Sequence, residues 1–273
     1  MTNDRERLAN RDNWDDRVGI HWEPDGYDAP GFIADPERIS GVVRYDSAHL
    51  DVAGKHLLHL QCHFGMDTLS WARLGAQVTG IDFSEKGIAA ARRLGEDSGT
   101  PGRFVLSDLY RAPSALPGEQ FDIVYTGVGA VNWLPDIATW GEVVASFLAP
   151  GGTFYMREGH PVMWSLDWEE EDRLVLRHPY FETTAPVSDD TPVTYAGSGT
   201  MEHARTYEWN HSIAEVMGAL TSQGLRIVQF EEHRAAEWAG HPAMSLEDDG
   251  LWRLPEAMRD LAPVMYTLAA VRD

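Results

Sequence analysis

From His56 onward the chain alternates short strand-like runs with helix-like runs. This is the pattern of a parallel sheet built from strand-helix-strand units, and it predicts an α/β fold. His56-Leu57-Leu58-His59-Leu60 reads as the first strand, and residues 66–74 as a helix closed by Gly75, which suits a left-handed C-terminal cap. Residues 77–81 form a second strand. Ser84 then N-caps a helix that places Ile88, Ala91 and Leu94 on one face. Strands follow over 103–106 and 121–125. A helix over 140–148 ends at Ala149-Pro150-Gly151-Gly152, where proline and two glycines force a turn into a fifth strand, 153–157. A helix over 212–223 with a Gly224 cap, a strand over 226–230 and a last strand over 264–271 complete the pattern.

Two stretches stand outside the alternation. Residues 159–210 are rich in proline, acids and aromatics and too long for an ordinary connection, so they read as a substrate-side insertion after strand five. Residues 1–52, with Trp14, Trp22, Tyr27 and Phe32, read as an N-terminal helical lid, although plain packing would account for the same aromatics. At 273 residues, 43% of them hydrophobic, a single domain spanning 1–273 is expected. Its parts are the lid, a ligand-binding core over 53–158, the insertion, and the rest of the core over 211–273.

Charge narrows the partners. A formal net charge of -21 opposes a phosphate backbone or an anionic bilayer, which are normally met by a basic face. No nucleic-acid or membrane partner is expected. The lone Cys62 cannot form an intrachain disulfide, and no segment has signal-peptide or membrane-span character, so a reducing, cytoplasmic setting is expected. Oligomeric state is not readable.

In an open parallel sheet the ligand sits outside the carboxyl ends of the strands, which draws attention to Gln61-Cys62-His63-Phe64-Gly65. A dinucleotide fold would want three spaced glycines there, so that pyrophosphate can approach the backbone; only Gly65 is present. No Gly-Lys-Ser/Thr loop occurs either. A nucleoside ligand without phosphates fits better. Asp82, 21 residues beyond Gln61 and at the end of strand two, is placed to accept hydrogen bonds from both ribose hydroxyls, or else to serve a turn. Asp108, past strand three, suits an exocyclic adenine amine, with the Leu109 N–H meeting a ring nitrogen, or a turn.

His59-Leu60-Gln61-Cys62-His63-Phe64-Gly65, Val78-Thr79-Gly80-Ile81-Asp82-Phe83-Ser84, Phe121-Asp122-Ile123-Val124 and Leu148-Ala149-Pro150-Gly151-Gly152 follow in order. Together they resemble the successive motifs of class I S-adenosylmethionine-dependent methyltransferases that modify small molecules. The resemblance covers about 52–158 well and the last two strands less closely. It implies a Rossmann-like, seven-stranded, mostly parallel sheet with helices on both faces and an antiparallel last strand. It also implies S-adenosyl-L-methionine as cofactor. Gln61, His63, Gly65 and Asp67 would lie near the methionine portion, Asp82, Phe83 and Ser84 near ribose, and Asp108 and Leu109 near adenine. One departure is plain: the family's Asp-x-Gly-x-Gly-x-Gly loop is matched only at Gly65, with His59, Gln61 and His63 replacing the acid and first two glycines. A glutamine can still hydrogen-bond an ammonium or carboxylate.

Methyl transfer from a sulfonium is an in-line displacement, so orienting the acceptor and excluding water are the main tasks, and a base is optional. His160, just beyond strand five, and His211, opening the helix after the insertion, are the candidate bases or substrate ligands; a backbone-bonded or capping histidine is the competing reading. Trp14, Asn132, Trp133, Trp164 and Trp209 are candidate acceptor contacts, with core packing as the alternative for the tryptophans. Their number points to a flat, aromatic acceptor. No metal is expected, because His56 and His59 lie three apart on a strand and face opposite sides. The fold also hosts S-adenosylmethionine-binding enzymes that transfer no methyl group, and a nicotinamide oxidoreductase or a noncatalytic metabolite-binding protein are further alternatives.

Overall fold

A computed structural model describes residues 3–273, so the first two residues of the expected lid lie outside the described ones. Strands β1 (His56–Leu60), β2 (Gln77–Asp82), β3 (Arg103–Leu106), β4 (Phe121–Thr126), β5 (Leu148–Gly159), β8 (Leu225–His233) and β12 (Met265–Arg272) form one sheet. Their order is β3-β2-β1-β4-β5-β12-β8. β12 runs antiparallel to both β5 and β8, and the pairs β1–β2, β2–β3, β1–β4 and β4–β5 are parallel. The parallel strands are those the alternation implied, and the seven-stranded order with an antiparallel last strand is what the resemblance implied.

The reason these segments are strands is visible in β1. Leu58 and Leu60 pack into the core cluster of one sheet face, and Leu57 into that of the other. A strand apolar on both sides has to be covered on both. Helices α7 (Ile137–Phe147) and α9 (Ile213–Thr221) cover the first face with Trp140, Val144, Phe147, Val216 and Leu220. Helices α3 (Gly41–Asp46), α4 (Met66–Arg73) and α5 (Glu85–Ser98) cover the second. Each fully buried Leu or Phe contributes about 1.5–3 kcal/mol. Ser84 caps α5 through the Gly87 N–H, as expected, whereas α7 starts earlier than the periodicity suggested because Asp136 caps it at Thr139 N.

The remaining elements lie along the carboxyl edge of the strands and beside it. Helix α1 (Asp4–Trp22), followed by α2 (Ala29–Ala34), forms the N-terminal part. The insertion holds the short α8 (Pro161–Trp164) and a hairpin of β6 (Val187–Asp189) and β7 (Thr206–Glu208). A second small sheet, β9 (Ala235–Ala236), β10 (Ser245–Leu246) and β11 (Trp252–Arg253), lies between β8 and β12. Nothing in the sequence pattern indicated it, since each strand is two residues long.

Helix α1 is joined to the insertion by side chains bonded to backbone. Asn10 Nδ2 donates to Tyr207 O (2.7 Å) and its Oδ1 accepts from Tyr207 N (2.8 Å). Asn13 Nδ2 donates to His203 O (2.7 Å). Both asparagines are buried. Asp16 accepts from the backbone N–H of His203, and Ile20 packs on Gly197 and Gly199.

Candidate functional site

The loop after β1 has the shape of a glycine-rich turn without the glycines. Gln61 and His63 have φ of 57° and 51°, and Gly65 has φ of 77°. For a residue with a side chain this left-handed geometry costs roughly 1–2 kcal/mol. The surroundings enforce it: Cys62 N donates to Ile81 O (2.9 Å), His63 N to Asp82 Oδ2 (2.8 Å), and Gln61 Nε2 to Ala130 O (2.9 Å). At Gly65 no side chain is possible, because a Cβ would stand 2.5 Å from the Phe104 ring. Two atoms of the strained residues, Gln61 Oε1 and His63 Nδ1, are buried with no partner. His59 replaces the family acid as a buried neutral ring bonded to Thr68 Oγ1 at 2.8 Å, and burial holds its pKa down at about 3.

Asp82 ends β2 beside this loop. Its carboxylate accepts from His63 N and from Ser84 N, each at 2.8 Å, tying the two turns together. Burial pushes its pKa up to about 6, against the opposing effect of the backbone N–H groups. Ser84 Oγ is bonded to Asp15 of α1.

A cleft of about 410 Å³ opens at the carboxyl ends of β1 to β4. Gln61, Asp82, Phe83, Asp108, Leu109 and Trp133 line it, so six of the residues singled out in the sequence meet there. Asp108 caps the turn that follows through Tyr110 N (2.9 Å) and is ion-paired with Arg7 of α1, which the sequence gave no reason to select. Gly65 shapes the loop behind the cleft. Asp67 stands apart, on the first turn of α4 near Ser40, with its carboxyl raised by burial to about 6.

The roof over the inner end of the cleft is aromatic. The Trp14 ring lies edge-on to His63 (5.0 Å) and to Trp133 (5.4 Å). Arg17 is buried with its guanidinium 4.9 Å from the Trp14 ring and 5.6 Å from the Trp133 ring, and it donates to Asn13 Oδ1 at 2.7 Å. His21 joins His63 Nε2 at 3.1 Å; burial first, and Arg17 second, hold its pKa down at about 3. The floor is set by Glu158, a buried carboxylate on β5 that accepts from the N–H groups of Gly129 (2.6 Å), Ala130 (2.7 Å) and Val131 (3.1 Å). That grip fixes the turn carrying Asn132 and Trp133.

Asn132, Trp164, Trp209 and His211 gather instead around a second, smaller cavity of about 180 Å³, on the other side of that turn. His211 is fully enclosed, with Nε2 bonded to Leu134 O (2.8 Å); its Nδ1 lies 2.9 Å from Glu182 but out of hydrogen-bonding alignment with it. His160 lies outside both cavities. Its Nδ1 accepts from Val162 N to cap α8 (3.2 Å), and its Nε2 faces Glu232 at 3.1 Å. Burial lowers the His160 pKa and Glu232 opposes that. Neither histidine lines the cleft, and His160 Nε2 and His211 Nδ1 are buried without a hydrogen-bond partner. Sequence reasoning passed over Arg7, Arg17, Glu158 and Glu208; their contacts lie far along the chain, from 27 residues for Glu158 and Val131 to 76 for Glu208 and Asn132 and 101 for Arg7 and Asp108, which no local pattern signals. Among the described residues no group of three His, Cys, Asp or Glu side chains is arranged to hold a metal ion.

Residues 57–152 match the methyltransferase-domain family. The chain is 32% identical over 135 residues to the ubiquinone biosynthesis O-methyltransferase of Xanthomonas euvesicatoria, covering 50% of this chain and 54% of that protein. It is 31% identical over 142 residues to the enzyme of the same name from Paramagnetospirillum magneticum, covering 49% and 55%. The chain thus spans about half the length of the relatives it matches. Among solved structures it is similar to an S-adenosylmethionine-dependent methyltransferase from Mesorhizobium loti, with TM-score 0.59 and 24% identity over 85% of this chain and 99% of that one. It is also similar to the glycopeptide N-methyltransferase MtfA, with TM-score 0.54 and 16% identity over 88% and 91%. The matched segment covers the β1-to-β5 part of the chain, and the strand order of the whole sheet is the fold shared with these methyltransferase structures.

Proposed function

We propose that the chain binds S-adenosyl-L-methionine in the 410 Å³ cleft and transfers its methyl group to a small-molecule acceptor. The observation that carries this reading is the loop of Gln61, His63 and Gly65, held in left-handed backbone beside the carboxylate of Asp82. Strain of this kind persists where the surrounding structure over-determines it, and it clusters at ligand sites. In this reading Asp82 accepts from the ribose hydroxyls, Asp108 and Leu109 meet adenine, and Gln61 Oε1 and His63 Nδ1 meet the amino-acid end. The cofactor would supply an electrophilic methyl group on a sulfonium. The protein would orient the acceptor behind it and exclude water with the Trp14 and Trp133 roof.

A small-molecule acceptor is supported by the acidic charge and by the similarity to proteins named ubiquinone biosynthesis O-methyltransferases. His160, which caps α8, and His211, which is bonded to Leu134 O, support the fold around the acceptor in this reading. The test is thermal shift with S-adenosylmethionine, S-adenosylhomocysteine and NAD in parallel, because a ligand at 100 times its Kd adds about 2.7 kcal/mol of stability. Stabilisation by the two sulfur nucleosides alone, with S-adenosylhomocysteine formed on adding a metabolite extract, is expected. Stabilisation by NAD alone would overturn the reading.

A further inference from the structure

The second cavity is walled by groups that the protein itself leaves without partners. Asn132, Trp164, Trp209 and His211 line it, and each carries a buried polar atom that makes no hydrogen bond: Asn132 Oδ1, Trp164 Nε1, Trp209 Nε1 and His211 Nδ1. Asn132, Trp209 and His211 are 5%, 1% and 3% exposed, so bulk water does not serve them. Native proteins leave few such atoms, and four around one space call for an occupant.

The local packing accounts for each. Asn132 gives its Nδ2 to Glu208 (3.0 Å) and its backbone O to Trp209 N (2.8 Å), which leaves Oδ1 over. His211 donates from Nε2 to Leu134 O (2.8 Å), so Nδ1 of the neutral ring is an acceptor. The Trp164 indole lies against Gly159, where a Cβ would stand 2.7 Å from Cζ2 and 3.3 Å from Nε1. Gly159 lines the cavity too, so the missing side chain at 159 is what admits the polar edge of the indole. Val131, Pro161 and Tyr266 supply apolar wall. The turn over 131–134 divides this space from the cleft: Val131 and Asn132 line one, Trp133 and Leu134 the other.

The unmatched set amounts to two donors, the indole N–H groups, and two acceptors, Asn132 Oδ1 and His211 Nδ1. An anion would lie near the carboxylates of Glu208, bonded to Asn132, and of Glu182, 2.9 Å from His211 Nδ1. A cation would leave both indole N–H groups unmatched, and a ketone or ester has nothing to give the two acceptors. A primary carboxamide answers all four, because its oxygen accepts two hydrogen bonds and its NH2 donates two. We propose that the second cavity is a binding subsite for an uncharged primary carboxamide carried on a small apolar body. That the molecule held there is the methyl acceptor, gripped across the turn from its reacting atom, rests on the methyl-transfer reading above. A trapped water offers the same count of donors and acceptors, and a titration tells the two occupants apart.

Protein labelled with fluorotryptophan reports on both indoles, the two signals being assigned from Trp164→Phe and Trp209→Phe. Benzamide and acetophenone have nearly the same shape and differ in the two donors; benzoate differs in charge. In fluorine NMR titrations benzamide is expected to shift both signals and to bind about tenfold or more tightly than acetophenone or benzoate. Asn132→Leu, close to Asn in shape but without the acceptor, should bring benzamide and acetophenone within about twofold of each other. If that variant does not fold, the three probes on the unaltered protein decide alone. An equal response to all three would overturn the assignment, and so would benzamide leaving both signals in place, which would give the space to water. S-adenosylhomocysteine is titrated beside them. Benzamide bound and S-adenosylhomocysteine not would leave the carboxamide subsite standing and remove its acceptor role; the reverse would leave the cofactor cleft standing and remove the subsite.

Discussion

The cleft's floor and its roof are held by different kinds of bond. The floor is β1 to β4 with their turns: strands buried on both faces, and carboxylates of Asp82 and Glu158 that gather backbone N–H groups from neighbouring turns. The roof is α1 and the insertion hairpin, joined by Asn10 and Asn13 to the backbone of 203–207 and resting on the floor through Arg7, Asp15 and Trp14. Floor contacts run through the apolar clusters on the two sheet faces, whereas α1 and the hairpin are held together largely by polar side chains, although α1 also adds Val18 and Trp22 to the apolar cluster around Phe64 and Ile88. Regions of the second kind open at lower free energy than the global unfolding. On the proposed reading the difference separates recognition from access: the floor would recognise the ligand, and the roof would be the part that opens to admit it.

Replacing Asp82 gives the largest expected effect, because it removes the floor's proposed ribose acceptor and the partner of two backbone N–H groups together. Asp82→Ala should weaken S-adenosylhomocysteine about 100-fold, taking about 1.5 kcal/mol for each of two charge-assisted bonds. An unchanged Kd would break the assignment of this floor as the nucleoside site. The same carboxyl has a pKa raised by burial to about 6, so the sign of the pH effect follows. Its charged form is penalised by folding, and this cost is absent below the unfolded pKa and fully present above the folded one. A ribose that donates to the carboxylate should favour the charged form, so affinity should fall as pH drops through about 6. Asp82→Asn should flatten that profile in calorimetry from pH 5 to 7.5, a range chosen to span roughly the folded pKa.

The roof gives a smaller, local effect. Truncating Asn10 and Asn13 to Ala leaves buried backbone groups of the hairpin without partners, at about 1–3 kcal/mol each. Amide exchange should quicken over α1 and 187–208 while β1 to β4 keep their protection. A uniform loss of protection would show floor and roof to be one cooperative unit and dissolve the distinction. Smallest of all is His160→Ala, which removes a cap of α8 worth about 1 kcal/mol and should lower the melting temperature slightly with no change in S-adenosylhomocysteine affinity. A loss of affinity there would move His160 from the framework into the site.

The same divide explains what could be read in the sequence. β1, the Ser84 cap and Asp82 at the end of β2 were legible because alternation, capping and strand ends are local signals. The small sheet of β9 to β11 was not, since two-residue strands carry no period. Nor was the roof's construction: Asn10 reads as an ordinary polar helix residue until Tyr207, far along the chain, is brought to it. Glu208 and Arg17 escaped for the same reason, while His160 and His211 drew attention by chemical type, which does not show that one caps α8 and the other is bonded to Leu134 O. Residue type at the end of a strand locates a site; only contact decides which group in it is free to react.

The two left-handed residues of the β1 loop carry one more implication, for selectivity among related nucleosides. A loop of glycines grips a ligand's tail with amide groups alone, whereas Gln61 and His63 bring two further polar atoms, both buried and unmatched within the protein. On the proposed reading those atoms are matched only by a ligand that has an amino-acid tail. A nucleoside that ends at the thioether, such as methylthioadenosine, would fill the adenosine half and leave them unmatched, and a site with unpaired buried groups rejects the shorter ligand more strongly than an apolar one does. The backbone strain at residues 61 and 63 is in this sense what lets the protein tell a complete cofactor from its breakdown product.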